Sequence, residues 1–101
     1  MTVFIGSSPK DGVLATHCFS VVAQPDACVL PRVIEVFAKR GYVLNQCHAI
    51  LTSEGDPELH IDLQVADLNQ SQADHLAAQL RQLVYVSLVL TSDKRELQLV
   101  G

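Results

Sequence analysis

Between Thr16 and Thr91 the spacing of apolar residues switches between a period of two and a period of about 3.6, in a fixed order. That order reads strand, helix, strand, strand, helix, strand, and few folds accommodate it. The first helical stretch is the most sharply defined. In VLPRVIEVFAKRGY, Val29 to Tyr42, residues Leu30, Val33, Ile34 and Phe37 make an apolar stripe while Arg32, Glu35 and Lys39 fall elsewhere. Pro31 has no N–H and is tolerated only in a first turn, which puts the helix start near Cys28. Lys39 and Arg40 suit the negative end of the helix dipole, and Gly41 supplies the left-handed residue that closes the last turn.

Upstream, THCFSVVA from Thr16 to Ala23 is rich in β-formers, with Phe19, Val21 and Ala23 on one face. Gln24, Pro25 and Asp26 then turn the chain into the helix. Downstream, VLNQCHAIL reads as a second strand whose apolar parity slips. Leu44 and Cys47 are three apart, whereas Cys47, Ala49 and Leu51 alternate, so a bulge near Asn45 or Gln46 is expected. After the loop SEGDP, the run from Glu58 to Ala66 alternates cleanly. Leu59, Ile61, Leu63 and Val65 lie on one side and His60, Asp62 and Gln64 on the other, as in a half-buried strand paired by hairpin with the second. Ser71 followed by Asp74 has the form of a capping box, and Ala73, Leu76, Ala77, Leu80 and Leu83 keep helical spacing. VYVSLVLT, Val84 to Thr91, is the fourth strand.

With right-handed crossovers both helices cover one sheet face and the strand order is 4-1-3-2. The expected fold is therefore α+β, a ferredoxin-like βαββαβ unit with a four-stranded antiparallel sheet. Strand two is left at a border, and an exposed border invites a partner. Residues 1–15 read as an irregular lead-in, in which Val3, Phe4 and Ile5 are able to add an edge strand. Residues 16–92 form the domain, and 93–101 a polar tail in which Leu97, Leu99 and Val100 pair weakly at most.

Composition narrows the function. The 101 residues make one small domain, with no apolar run long enough to cross a bilayer and no secretory leader pattern, so a cytoplasmic location is expected. The net charge is −4 and the seven Lys and Arg do not cluster, which argues against nucleic acid. Three cysteines without a CxxC pair fit a reducing compartment, and neither a disulfide framework nor a zinc site.

His17, Cys18, Cys47, His48 and His60 all fall on strands, without the spacing of metal ligands. They read as polar side chains on the uncovered sheet face or at an assembly interface, with His48 near Asp62 across the hairpin. No catalytic residue emerges, because no nucleophile has an adjacent base and orienting group. Cys28 is the one notable thiol, since a helix N-terminus lowers thiol pKa, although inert packing is the plainer reading. RNA recognition on this fold needs aromatic platforms, whereas the open face carries His60, Asp62 and Gln64. One candidate ligand site remains, the turn formed by Pro25, Asp26, Ala27, Cys28, Val29 and Leu30. Backbone N–H groups at a helix start attract a carboxylate, such as that of an amino acid. An ordinary βα turn accounts for the same residues.

The stretch from Phe19 to Val89 resembles an ACT domain, a small βαββαβ module that binds amino acids and regulates metabolic enzymes. Within that group it looks most like the short-form small regulatory subunit of acetohydroxyacid synthase, also called acetolactate synthase. The resemblance rests on LPRVIEVFAKRGY (Leu30 to Tyr42), HIDLQVAD (His60 to Asp67) and QLRQLVYV (Gln79 to Val86). It implies a non-catalytic subunit without cofactors of its own, acting in branched-chain amino-acid biosynthesis. Its partners would be a second copy of the chain and a large catalytic subunit carrying thiamine diphosphate, FAD and magnesium. Valine-responsive members carry an Asn and a Gly in the first loop, where this chain has Pro25 and Cys28. A side chain at Cys28 crowds the approach of a ligand to the backbone. The resemblance is to the short form, which lacks the long C-terminal domain of many of these subunits. A stand-alone ACT module that senses an amino acid as a homodimer is the other reading.

Overall fold

Two of the six elements lie at the borders of the sheet and differ in how they are protected, and the fold explains why. The computed structural model describes residues 13–94. In order these form β1 (Ala15–Ala23), α1 (Val29–Ala38), β2 (Gln46–Leu51), β3 (Leu59–Leu68), α2 (Gln70–Arg81) and β4 (Val86–Lys94). The sheet order is β2-β3-β1-β4 and every neighbouring pair is antiparallel, as the βαββαβ expectation required. The segment around Val3, Phe4 and Ile5 and that around Leu97, Leu99 and Val100 lie outside the described residues.

α1 begins where Pro31 demands, with Cys28 at the N-cap. It ends in a Schellman closure: Gly41 takes φ +78°, its N–H donates to the Ala38 carbonyl, and the Tyr42 N–H donates to that of Phe37. The buried face is Val29, Val33, Val36 and Phe37. This rotates the expected stripe, because Leu30 and Ile34 are only half-buried. Val29 and Val36 join Val33 and Phe37 on the face turned to the sheet and α2.

α2 starts earlier than Ser71 and Asp74 suggested. Its N-cap is Asn69, whose side chain accepts the Gln72 N–H at 2.8 Å while the Gln72 side chain accepts the Asn69 N–H at 2.9 Å. Asn caps as well as Ser, and Gln at the third helical position completes the box. Asp74 instead accepts a hydrogen bond from Gln70 at 2.8 Å, one turn back.

β1, at the centre, buries His17, Phe19, Val21 and Ala23 on the helix side. Phe19, Val21 and Ala23 share one core with Ile61, Leu63, Val65 and Leu68 of β3, Val89 of β4, and Ala73, Leu76, Ala77 and Leu80 of α2. The Phe19 and Phe37 rings meet edge to face at 5.3 Å, joining β1 to α1. β3 runs past Ala66 to Leu68, with Asp67 at φ 61° leading into the Asn69 cap. The fourth strand starts at Val86 and not at Val84, because Tyr85 takes φ +78° and breaks the extended backbone; it runs on to Lys94.

β2 pairs regularly with β3 from Gln46 to Leu51. Just before it, the Asn45 N–H donates at 2.8 Å to the carbonyl of Gln64, the residue opposite Gln46. Two residues thus face one, and the parity slip between Leu44 and Cys47 is absorbed there. All six residues of β2 are exposed.

Candidate functional site

The turn from β1 into α1 is the candidate carboxylate site, and a carboxylate of the chain itself, that of Asp26, stands there. Asp26 Oδ1 accepts the Cys28 N–H at 3.0 Å and lies 2.9 Å from Cys28 Sγ, close enough for the thiol proton to be donated to it. The Val29 N–H donates to the Asp26 backbone carbonyl at 3.1 Å, and Pro31 has no N–H to offer. Cys28, Val29 and Pro31 therefore present no free donor to an external anion. Val29 is buried in the core and Leu30 packs partly against it, whereas Pro25, Ala27 and Cys28 are exposed. Of the six residues of the turn, only these three and the Asp26 carboxylate face outward chemistry.

Electrostatics follow from that contact. Donation from the Cys28 thiol and then from its N–H holds the Asp26 carboxyl below the ordinary carboxylate range. The same hydrogen bond, with lesser desolvation and the charge of Asp26, pushes the Cys28 thiol up. This favours the plainer reading of Cys28, an inert thiol, over activation by the helix N-terminus, because an anion at hydrogen-bond distance opposes thiolate formation. Linkage gives the sign on either side. The contact stabilises the loop above the unfolded carboxylate pKa and is lost as pH falls through the depressed one; it is also lost as pH rises through the elevated thiol pKa. Asp26→Asn should accordingly speed alkylation of Cys28 severalfold near neutral pH. Mass-resolved alkylation kinetics would show it, and an unchanged rate would dissociate the two side chains.

The loop is tied across the molecule. The Gln24 N–H donates at 2.9 Å to the carbonyl of Tyr85, the residue held at positive φ between α2 and β4. Nothing local in the sequence signals this link, because the two residues come together only when β1 and β4 pair.

Among the described residues the open face of the sheet shows no catalytic relay. Leu90, Ser20, Asp62 and His48 stand in one row across the four strands, and His48 opposes Asp62 as expected. Ser20 Oγ donates to Asp62 Oδ1 at 2.8 Å. Ser20 bonds to the carboxylate, and the His48 imidazole lies beyond it on the far side of Asp62, so no base stands next to the hydroxyl as a nucleophile relay requires. His60 and Gln64 share that face with Asp62. His17 does not: it is 3% exposed and lies on the core side with Phe19, because strand parity overrides polarity near the end of the sheet. Cys47 has core-side parity too, opposite Leu63, yet it is exposed because no helix covers β2. Among the described residues no three His, Cys, Asp or Glu side chains converge as metal ligands. Also among them, no helix is long and apolar enough to cross a membrane.

The comparisons with known proteins agree on the fold. The family model for the ACT-like domain matches residues 11–97. The ACT domain of GTP pyrophosphokinase from Chlorobium tepidum superposes with a TM-score of 0.64 at 15% identity, over 79% of this chain and 100% of that one. The C-terminal domain of the MgtC protein from Mycobacterium tuberculosis gives 0.63 at 15% identity, over 89% and 98%. A homoserine dehydrogenase from Thiobacillus denitrificans gives 0.67 at 15% identity, over 85% of this chain and 19% of that enzyme. A search of curated protein sequences gives no match. The matched span takes in all six elements, from Ala15 to Lys94, and on that ground the chain belongs to the ACT-like domain family.

Proposed function

We propose that this chain is a non-catalytic regulatory module that pairs with a second copy through β2 and acts by binding a larger enzyme. The observation that carries the reading is the contrast between a first loop already filled by Asp26 and Cys28 and a border strand left wholly exposed. A module built this way is better suited to contact proteins than to capture a free carboxylate. The fold likeness to a segment of homoserine dehydrogenase, an enzyme about five times the length of the matched part, supports the view that such a unit serves as an attachment to catalytic machinery.

In its most specific form the partner is the large subunit of acetohydroxyacid synthase. Support comes from the three sequence blocks that resemble its small regulatory subunit, Leu30 to Tyr42, His60 to Asp67 and Gln79 to Val86. Regulation would work by population shift, the module binding one arrangement of the large subunit better than another and so favouring it. The site of thiamine-dependent chemistry would lie entirely in the partner. Adding the chain to the large subunit is expected to raise its rate and to yield a co-eluting complex on gel filtration; an unchanged rate with no complex would remove this reading.

Membership of the ACT-like family favours a second reading, an amino-acid sensor acting as a homodimer. Calorimetry against the twenty amino acids separates the two. With Asp26 occupying the helix start, the expected panel is flat, and a saturable heat with any one amino acid would favour the sensor.

A further inference from the structure

The two borders of this sheet are not equivalent. β2, QCHAIL, has neither Pro nor a fixed charge, and none of its residues is covered. These are the features that ordinarily keep a border strand from pairing with another chain, and β2 lacks them. Its ladder with β3 shows which groups remain unpaired. The Thr52 N–H donates to the Glu58 carbonyl at 2.9 Å, so alternation turns the N–H and C=O groups of the even-numbered residues toward β3. Those of Cys47, Ala49 and Leu51 point to the open border.

β4 is different. Val89 lies opposite Val21 at its middle, and the Val89 carbonyl is taken at 3.0 Å by Nη2 of Arg81, from the last turn of α2. The Arg81 side chain runs along a shallow groove with Val86, Ser87, Leu88 and Val89. A charged donor thus occupies an acceptor that a new strand would need, and its guanidinium stands where that strand would approach.

We infer that Arg81 guards the β4 border, withdrawing it from strand pairing so that association through β2 stops at two copies. The guard itself stands on the Arg81 to Val89 contact, whereas the count of two rests on the β2 pairing proposed above. Two β2 strands meeting about a two-fold axis bring no like charges together and close the assembly. Such a pair still exposes two β4 borders, one at each end. If these were free, pairs would join end to end without limit.

The test is the size of the full chain by light scattering over a range of concentrations. Arg81→Met keeps the stem and a good helix former but loses every donor. Arg81→Ala is the second variant, and Arg81→Lys restores a donor. Wild type is expected as two copies, and the Met and Ala variants as species that grow past two with concentration. The Lys variant should return to two, with circular dichroism unchanged throughout. Folded Met or Ala variants of wild-type size would overturn the guard. If wild type were a single copy, the β2 pairing would fall on its own; the guard would then stand if the variants associated and fall if they remained single.

Discussion

Phe37→Ala is expected to destabilise the domain by about 3–5 kcal/mol, the usual range for deleting a buried phenylalanine. The ring is fully buried and packs edge to face on Phe19, and it is the point where α1 grips the central strand. The Phe37 carbonyl also accepts the Arg40 and Tyr42 N–H groups, so the residue anchors the end of α1 as well as its face. A small domain has only about 5–15 kcal/mol in hand, and each kcal/mol moves the midpoint by about 4–8 °C at this size. The unfolding midpoint should therefore fall by about 12 °C or more, with Phe37→Leu losing much less because most of the volume is kept. Thermal and urea unfolding measure both. A loss below about 1 kcal/mol for the alanine variant would mean that α1 is held by contacts other than this ring.

In the pairing proposed through β2, Ala49→Pro should separate the two copies while leaving each one folded. Ala49 directs its N–H to the open border, so proline there deletes no bond of the β2–β3 ladder. It does remove a donor from the pairing of two β2 strands, and its ring obstructs the incoming backbone. Association is expected to weaken by about tenfold to a hundredfold, equivalent to about 1.4–2.7 kcal/mol. His48→Pro is the contrast, since alternation aims the His48 N–H at Asp62 within the hairpin, and proline at that position should destabilise the monomer itself. Sedimentation for the first and thermal unfolding for the second give the readouts. Equal effects of the two prolines on association alone would contradict the orientation assigned to β2.

Much of this architecture was legible because local periodicity and global fold agree. Leu59 to Val65 alternates without error, with Ile61, Leu63 and Val65 buried and Leu59 packed partly against them, and the Pro31 and Gly41 signals bracket α1 as placed. Where two local rules competed, reading along the chain chose less well. Asn69–Gln72 and Ser71–Asp74 both have the spacing of a capping box, and the reciprocal bonds form at the first, directly after the buried Leu68. His17 was assigned by polarity when parity ruled. The site depended on contacts of both kinds. Asp26 and Cys28 are two residues apart, and their bond was readable in principle from the tendency of Asp to accept the N–H two residues on. Arg81 reaching Val89, and Gln24 reaching Tyr85, involve strands and loops whose adjacency exists only after the sheet has formed.

The position of β1 bears on how the chain reaches this state. β1 is the first of the described elements yet central in the sheet, and Val21 must find both Ile61 and Val89. Closing loops of that span precedes any return from the contacts they bring, which slows folding relative to local hairpins. During synthesis the β2–β3 hairpin emerges whole, but one flank of β1 waits for β4, nearly the last segment described. Until then the nascent chain exhibits an unfinished sheet to whatever surrounds the ribosome, so the time to translate α2 and β4 sets how long that flank needs shelter.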